Sequence, residues 1–301
     1  MENSIDKLNR LKREKDAVIM AHYYAIDEVQ EIADYIGDSF YLATLGRSLP
    51  NKTIVLCGVD FMAESAKILS PDKTVLIPDF TATCPMALMA DTDGIEAVRK
   101  HTEDVAVVCY VNSTAELKAS SDVCVTSSNA VKIVSELPQK NIYFIPDINL
   151  AKYIQEKLPE KHFIFNDGFC CVHDGITEEE TLKAKAEHPG VKLLAHPECK
   201  EETLRHADFI GSTSQILDYA ISSEDDAFII ATEVGILYKL AQHCPNKTFF
   251  TVNNTQFCKS MKKNTVEKII EALETGEPEM VLQGDFIRNA EKPLTRMVEL
   301  A

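Results

Sequence analysis

Tryptophan is absent from the 301 residues, and no apolar run approaches the roughly 20 residues of a membrane-spanning helix. A bilayer span is therefore not expected. The opening segment MENSIDKLNRLKREKD is too charged for a secretory signal peptide, which points to a cytoplasmic protein. A basic excess is missing as well: 31 Lys and Arg face 47 Asp and Glu, a net charge of −16. Binding to nucleic acid normally shows as a basic patch, so that class is disfavoured. The acidic total still permits a local anion site built from helix N-termini and hydroxyls.

There is no CxxC and no Cys/His run of zinc-finger spacing. Nine cysteines in a chain without a signal peptide do not read as a disulfide framework either. A cysteine site must therefore be assembled from distant parts of the chain. The segment GFCCVH (168–173) poses that problem most sharply, because adjacent thiols do not easily point into one site.

What is present is an alternation of short β-rich runs with amphipathic stretches. AVIMAHY (17–23), TIVLCGV (53–59), VAVVCYV (105–111), NIYFIPD (141–147), VKLLAHP (191–197) and AFIIATE (227–233) read as strands, with TVLIPD, HFIFND and KTFFTVN beside them. DEVQEIADYIG, FMAESAKILS, LAKYIQEKL and VGILYKLAQH read as helices. This pattern predicts α/β units with parallel sheets, and the length allows two or three domains.

An internal repeat sharpens the picture. ADYIGDS (33–39), SDVCVTS (121–127) and ADFIGST (207–213) align, placing a hydroxyl five residues after an Asp: Ser39, Ser127 and Thr213. Twelve residues before each Asp stands a polar ring, His22, Tyr110 or His196, and two residues beyond it comes Tyr24, Asn112 or Glu198. Further on, strands end in Asp60, Asp147 and Glu233. Cys84 and Cys258 each follow their ring by 62 residues, while Cys170 and Cys171 follow Tyr110 by 60 and 61. Three α/β units of about 86–88 residues, each supplying one cysteine, predict a pseudo-threefold assembly around a shared crevice at the strand ends.

Three converging thiolates could hold zinc, but structural zinc prefers four ligands and no His falls at a matching position. A [4Fe–4S] cluster with three cysteine ligands is favoured, leaving one iron open as a Lewis acid. Cys57, Cys109 and Cys124 read as small core residues, and Cys199 and Cys244 have no counterpart in the repeat. Ser39, Ser127 and Thr213 resemble helix N-caps, which can also sit beside a bound anion.

The segments MAHYYAIDEVQEIADYIGDS, CYVNSTAELKASSDVCVTSSNA, PDINLAKYI, GFCCVH, AHPEC, DFIGSTSQI, ATEVGILYKL and CKSMKKNTVEKIIEALE, in that order, resemble the quinolinate synthase family from about residue 17 to the tail. The resemblance implies three three-layer αβα domains around a central active site, with a [4Fe–4S] cluster held by one cysteine from each. It implies a transferase that condenses iminoaspartate with dihydroxyacetone phosphate, losing phosphate and two waters, to make quinolinate for NAD synthesis. The implied ligands are Cys84, Cys258 and, through the pattern G-x-C-x-V-H, Cys170; the spacing of the repeat leans slightly toward Cys171.

Implied substrate contacts are His22, Ser39, Tyr110, Val111, Asn112, Ser127, His196, Pro197, Glu198 and Thr213. Tyr24 and Glu198 are expected to transfer protons, with His22 and His196 orienting carboxylates or relaying protons and Tyr110 and Asn112 completing the catalytic set. Domains are expected at 17–98, 104–186 and 190–262, with 1–16 and 263–301 packing on them. Iminoaspartate hydrolyses readily, which points to transient delivery by L-aspartate oxidase. Two departures stand out: FND precedes GFCC where many relatives carry tryptophan, and Cys171 is an extra thiol. The rival readings are another [4Fe–4S] hydro-lyase or a non-catalytic iron–sulfur or zinc protein.

Overall fold

Residues 3–301 are described in a computed structural model, and they build three sheets of four parallel strands. The first sheet contains β1 (Ala17–His22), β2 (Tyr35–Gly37), β3 (Thr53–Cys57) and β4 (Thr74–Leu76). The second contains β5 (Val105–Tyr110), β6 (Val123–Val125), β7 (Asn141–Ile145) and β8 (His162–Phe165). The third contains β9 (Lys192–Ala195), β10 (Phe209–Ile210), β11 (Ala227–Ala231) and β12 (Thr248–Thr251). Each sheet runs in the same order: second strand, first, third, fourth. Helices cover both faces, giving three repeated αβα units. All six residues of β1 are buried, as expected for a strand covered on both sides.

The repeated Asp turns out to be a strand clamp. The carboxylates of Asp34, Asp122 and Asp208 accept the amides of Ile19 (2.8 Å), Val107 (2.7 Å) and Leu193 (2.8 Å). Their own amides donate back to the carbonyls of those same residues, each at 2.9 Å. A cation meets every one of them: Lys12, Arg99 and Lys185. The clamp starts β2, β6 and β10, which have only two or three residues and carry too little pattern to be read as strands. The stretch 27–37, read as one helix, is therefore a helix over Asp27–Ile32 followed by β2.

A second threefold device recurs at the same intervals but was not picked from the sequence. Lys73, Lys161 and Lys247 reach the carbonyls at the C-terminal ends of helices Ser39–Ser48, Ala130–Glu136 and Thr213–Ser222. A cation there satisfies orphan carbonyls and complements the helix dipole.

Helices Ser4–Glu14 and Val266–Thr275 share one apolar cluster on the first sheet, with Leu8, Leu11, Ile269 and Leu273 buried. The last helix, Gly284–Leu300, buries Ala290, Leu294 and Met297 in a core cluster that runs through all three units. Cys57, Cys109, Cys124, Cys199 and Cys244 are all buried, whereas Cys171 is exposed. Among the described residues, no helix is long and apolar enough to cross a membrane.

Candidate active site

In each sheet the chain leaves the first strand in one direction and returns past it, so strand order reverses between the first and third strands. Crevices for ligands open at such points, outside the strand C-termini. His22 ends β1, Tyr110 ends β5 and His196 follows β9, and all three line one cavity of about 90 Å³ between the units. Tyr24, Ser39, Asn112, Ser127, Glu198 and Thr213 line it too, as do Cys84, Cys170 and Cys258.

Local backbone geometry aims the rings. The amides of Tyr24 and Glu198 donate to Nδ1 of His22 (3.1 Å) and His196 (3.3 Å), two residues earlier. Nδ1 is thereby an acceptor, and the proton of each neutral imidazole sits on Nε2. Burial is the main cause that lowers both histidines to about 3, so they stay uncharged at neutral pH. His196 Nε2 then donates to Ser127 Oγ at 3.2 Å, across a boundary between units.

A hydrogen-bonded line crosses all three units. Tyr24 OH meets Thr213 Oγ1 (2.7 Å) and Thr232 Oγ1 (2.8 Å), and Thr232 Oγ1 meets His173 Nε2 (2.9 Å). His173 Nδ1 lies 2.8 Å from Glu198 Oε2, while Glu198 Oε1 accepts from Tyr110 OH at 2.5 Å. Burial opposes the Glu198 charge, but His173 and His196 beside it, with the two hydrogen bonds, hold its carboxyl below the usual range. Burial raises Tyr24 and Tyr110 well above the ordinary phenol value, so both are proton donors. The His173 ring also stacks on His196 with centroids 4.5 Å apart.

The cysteines sit on equivalent irregular loops. The carbonyl two residues before the cysteine accepts a backbone amide from the acid loop in every unit: Asp60 N to Ala82 O, Ile148 N to Gly168 O, and Val234 N to Gln256 O. Cys170, not Cys171, is therefore the positional equivalent of Cys84 and Cys258. Gly168 is required at this crossing, since a Cβ there would lie 2.6 Å from Pro146 O.

With this geometry in view, the chain can be compared with known proteins. Residues 6–299 match the family described as NadA, quinolinate synthetase A protein. The chain is 51% identical to the quinolinate synthase of Fusobacterium nucleatum over 296 residues, covering 98% of this chain and 99% of that one. It is 47% identical to the quinolinate synthase of Caldicellulosiruptor bescii over 295 residues, covering 98% and 97%. The quinolinate synthase of Clostridioides difficile is 45% identical over 295 residues, with the same coverage. The chain belongs to the quinolinate synthetase A family. It is accordingly an enzyme.

For this family member, twelve of the residues picked from sequence meet in the cavity, and two do not. Val111 lies beside a smaller apolar recess, and Pro197 is buried outside the lining. The hydroxyls expected to be N-caps are not: Asp38 caps the helix that Ser39 begins, Ser212 caps the one Thr213 begins, and Asn129 precedes the helix after Ser127. This leaves Ser39, Ser127 and Thr213 free to face the cavity. Asn112 Oδ1 is buried without a partner among the described residues, which leaves an acceptor in the cavity lining.

His173 and Thr232 were missed as functional groups. The corresponding positions of the other units are Ala87 and Met261 for His173, and Val59 and Pro146 for Thr232. A polar residue where both counterparts are apolar was the available signal.

Proposed function

We propose that this chain condenses iminoaspartate with dihydroxyacetone phosphate to form quinolinate for NAD synthesis, with a [4Fe–4S] cluster on Cys84, Cys170 and Cys258. The observation that carries this reading is the convergence of three equivalent cysteine loops, one per unit, on the cavity that also holds Tyr24 and Glu198. The donor set fits. Among the described residues, the one group able to share a single ion is Cys170, His173 and Glu198, with ligand atoms within 4.8 Å. The three repeat cysteines form no such compact group, as suits a multi-iron cluster better than one zinc ion. When bound, a cluster with three thiolates supplies an open iron as Lewis acid for substrate oxygen and for departure of hydroxide. Burial pushes the Cys84 thiol up to about 12 and raises Cys170 and Cys258, so cluster binding displaces their protons.

The side chains divide the remaining work. Neutral His22 presents Nε2–H to the cavity and holds a carboxylate oxygen, while His196 donates its Nε2–H to Ser127 Oγ and so aims that hydroxyl at the substrate. With protonation displaced to about 3, both rings orient the substrate instead of carrying protons. Ser39 and Thr213 at helix starts, with Ser127 in the turn before a third helix, bind further carboxylate or phosphate oxygens. Thr232, His173 and Glu198 stand in the order hydroxyl–imidazole–carboxylate, and Glu198 fixes His173 so that Nε2 accepts. A proton taken up at Tyr24 is matched by one passed through Thr232 to His173. Enclosure among three units excludes water from iminoaspartate, and its lability favours transient delivery by L-aspartate oxidase in the cytoplasm.

The test is anaerobic purification with iron, sulfide and zinc analysis, followed by assay with both substrates. Cys170→Ala is expected to lose the cluster and quinolinate formation, while Cys171→Ala keeps both. A colourless zinc protein without iron overturns the reading.

A further inference from the structure

The repeat singled out three strand-end acids, Asp60, Asp147 and Glu233, that the chemistry above does not use. Each accepts the backbone amide of its own unit's cysteine: Asp60 Oδ1 from Cys84 (3.4 Å), Asp147 Oδ2 from Cys170 (3.2 Å) and Glu233 Oε1 from Cys258 (3.0 Å). The cysteines lie outside helices and strands, so no regular ladder satisfies these amides. The carboxylates provide their partners. Because one arrangement recurs in three units of different sequence, it belongs to the loops' common task and not to local packing.

We propose that Asp60, Asp147 and Glu233 are positioning residues that fix the three cysteine loops in the conformation that receives the cluster; this rests on the cluster reading above. A fixed backbone at the ligand residue leaves only the side-chain torsions to be ordered when the thiolate binds, which lowers the conformational cost. The effect of the acids is therefore on how long the cluster is held.

The oxygens are used differently in the three units, and this gives the test its resolution. Asp147 assigns Oδ1 to the helix cap at Leu150 N (2.7 Å) and Oδ2 to Cys170. Glu233 assigns Oε2 to Gly235 N (2.7 Å) and Oε1 to Cys258, with Lys262 alongside. An amide has one acceptor oxygen, so Asp147→Asn and Glu233→Gln can keep the local bond only by turning an NH2 toward the cysteine amide. Asp60 uses the single atom Oδ1 for both Phe61 N (2.8 Å) and Cys84 N. Asp60→Asn can therefore preserve both bonds.

The experiment measures iron and sulfide per chain and the rate of cluster loss to a chelator under anaerobic conditions, with melting of the cluster-free proteins as the control for folding. D147N and E233Q are expected to lose the cluster roughly tenfold faster than wild type, the equivalent of one lost hydrogen bond. D60N should match wild type, and D60A should join the fast group. Unchanged melting of the cluster-free forms, with these differences, separates positioning from a general structural role. Wild-type cluster lifetimes in both D147N and E233Q overturn the proposal, as does equal loss in D60N and D147N; if D147N fails to fold, E233Q alone decides. A wild-type chain that takes up no cluster overturns the cluster reading itself, before any substitution is compared.

Discussion

The first and second units are joined quite differently from the way the third meets them. At the first seam, Lys118 is completely buried, donating to Phe61 O (3.0 Å) and Ser65 Oγ (2.8 Å) across the boundary. Glu64 accepts Ala115 N at 2.8 Å, and the last helix packs Ala290, Leu294 and Met297 into a core shared by both units. The third unit shares that apolar cluster through Leu217, Ile230, Ile236 and Leu240, and at the cavity it meets its neighbours through polar groups: Tyr24 to Thr213 and Thr232, Ser127 to His196, and Tyr110 and His173 to Glu198. Ser214 to Asp38 (2.6 Å) and Lys262 to Tyr24 O (2.7 Å) add to that seam. The first boundary holds a buried cation, whereas the second gathers its polar contacts at the cavity. Substitutions at the two seams should therefore fail in different ways.

Glu198→Gln gives the largest separation. Loss of the carboxylate that holds His173 should slow quinolinate formation by roughly 10²–10⁴-fold, the range for a removed acid–base group. Cluster content should stay unchanged, and near-normal turnover would remove Glu198 from the mechanism. Lys118→Met should behave in the opposite sense. It leaves Glu64, Ser65 and Phe61 O without their buried cation, at a cost of about 3 kcal/mol in chemical unfolding. The activity of the molecules that remain folded should stay close to wild type.

Acid should act on the polar seam. His22 and His196 have their folded value lowered to about 3 from 6.5, so between those limits the unfolded chain binds more protons than the folded one. Stability then falls as pH drops from about 6.5 toward 3, by up to about 1.4 kcal/mol per pH unit for each histidine. Denaturation midpoints measured across that window check it, and a flat profile would show that both histidines titrate normally. Thr232→Val is the mildest probe. It removes one hydroxyl from the Tyr24–His173 line, and a drop of about tenfold in turnover is expected. Its unfolding midpoint should stay near that of wild type.

The symmetric part of the molecule was legible because it was written three times. The clamp Asp, the cavity rings and the cysteines recur at fixed intervals, and those intervals led to three parallel-sheet units and most of the cavity residues. Short β2, β6 and β10 escaped because two or three residues carry no periodicity; their pairing comes from the Asp34, Asp122 and Asp208 clamps. The lysine caps at Lys73, Lys161 and Lys247 also repeat, but a lysine between polar neighbours in sequence gives no hint that it will reach helix carbonyls.

His173 and Thr232 show the limit of the repeat. They have no counterparts, and their meaning lies in contacts with Glu198 and Tyr24, residues of other units or distant in the chain. Likewise, spacing could not choose between Cys170 and Cys171. The sequence by itself determined the longer strands, the number of units and the loop in each that supplies a cysteine, because burial periodicity and repeat spacing are written along the chain. Only the tertiary structure decided which of two adjacent thiols is equivalent to Cys84 and Cys258, and which hydroxyl, imidazole and carboxylate touch. Those depend on backbone crossings and side-chain distances between segments far apart in the chain.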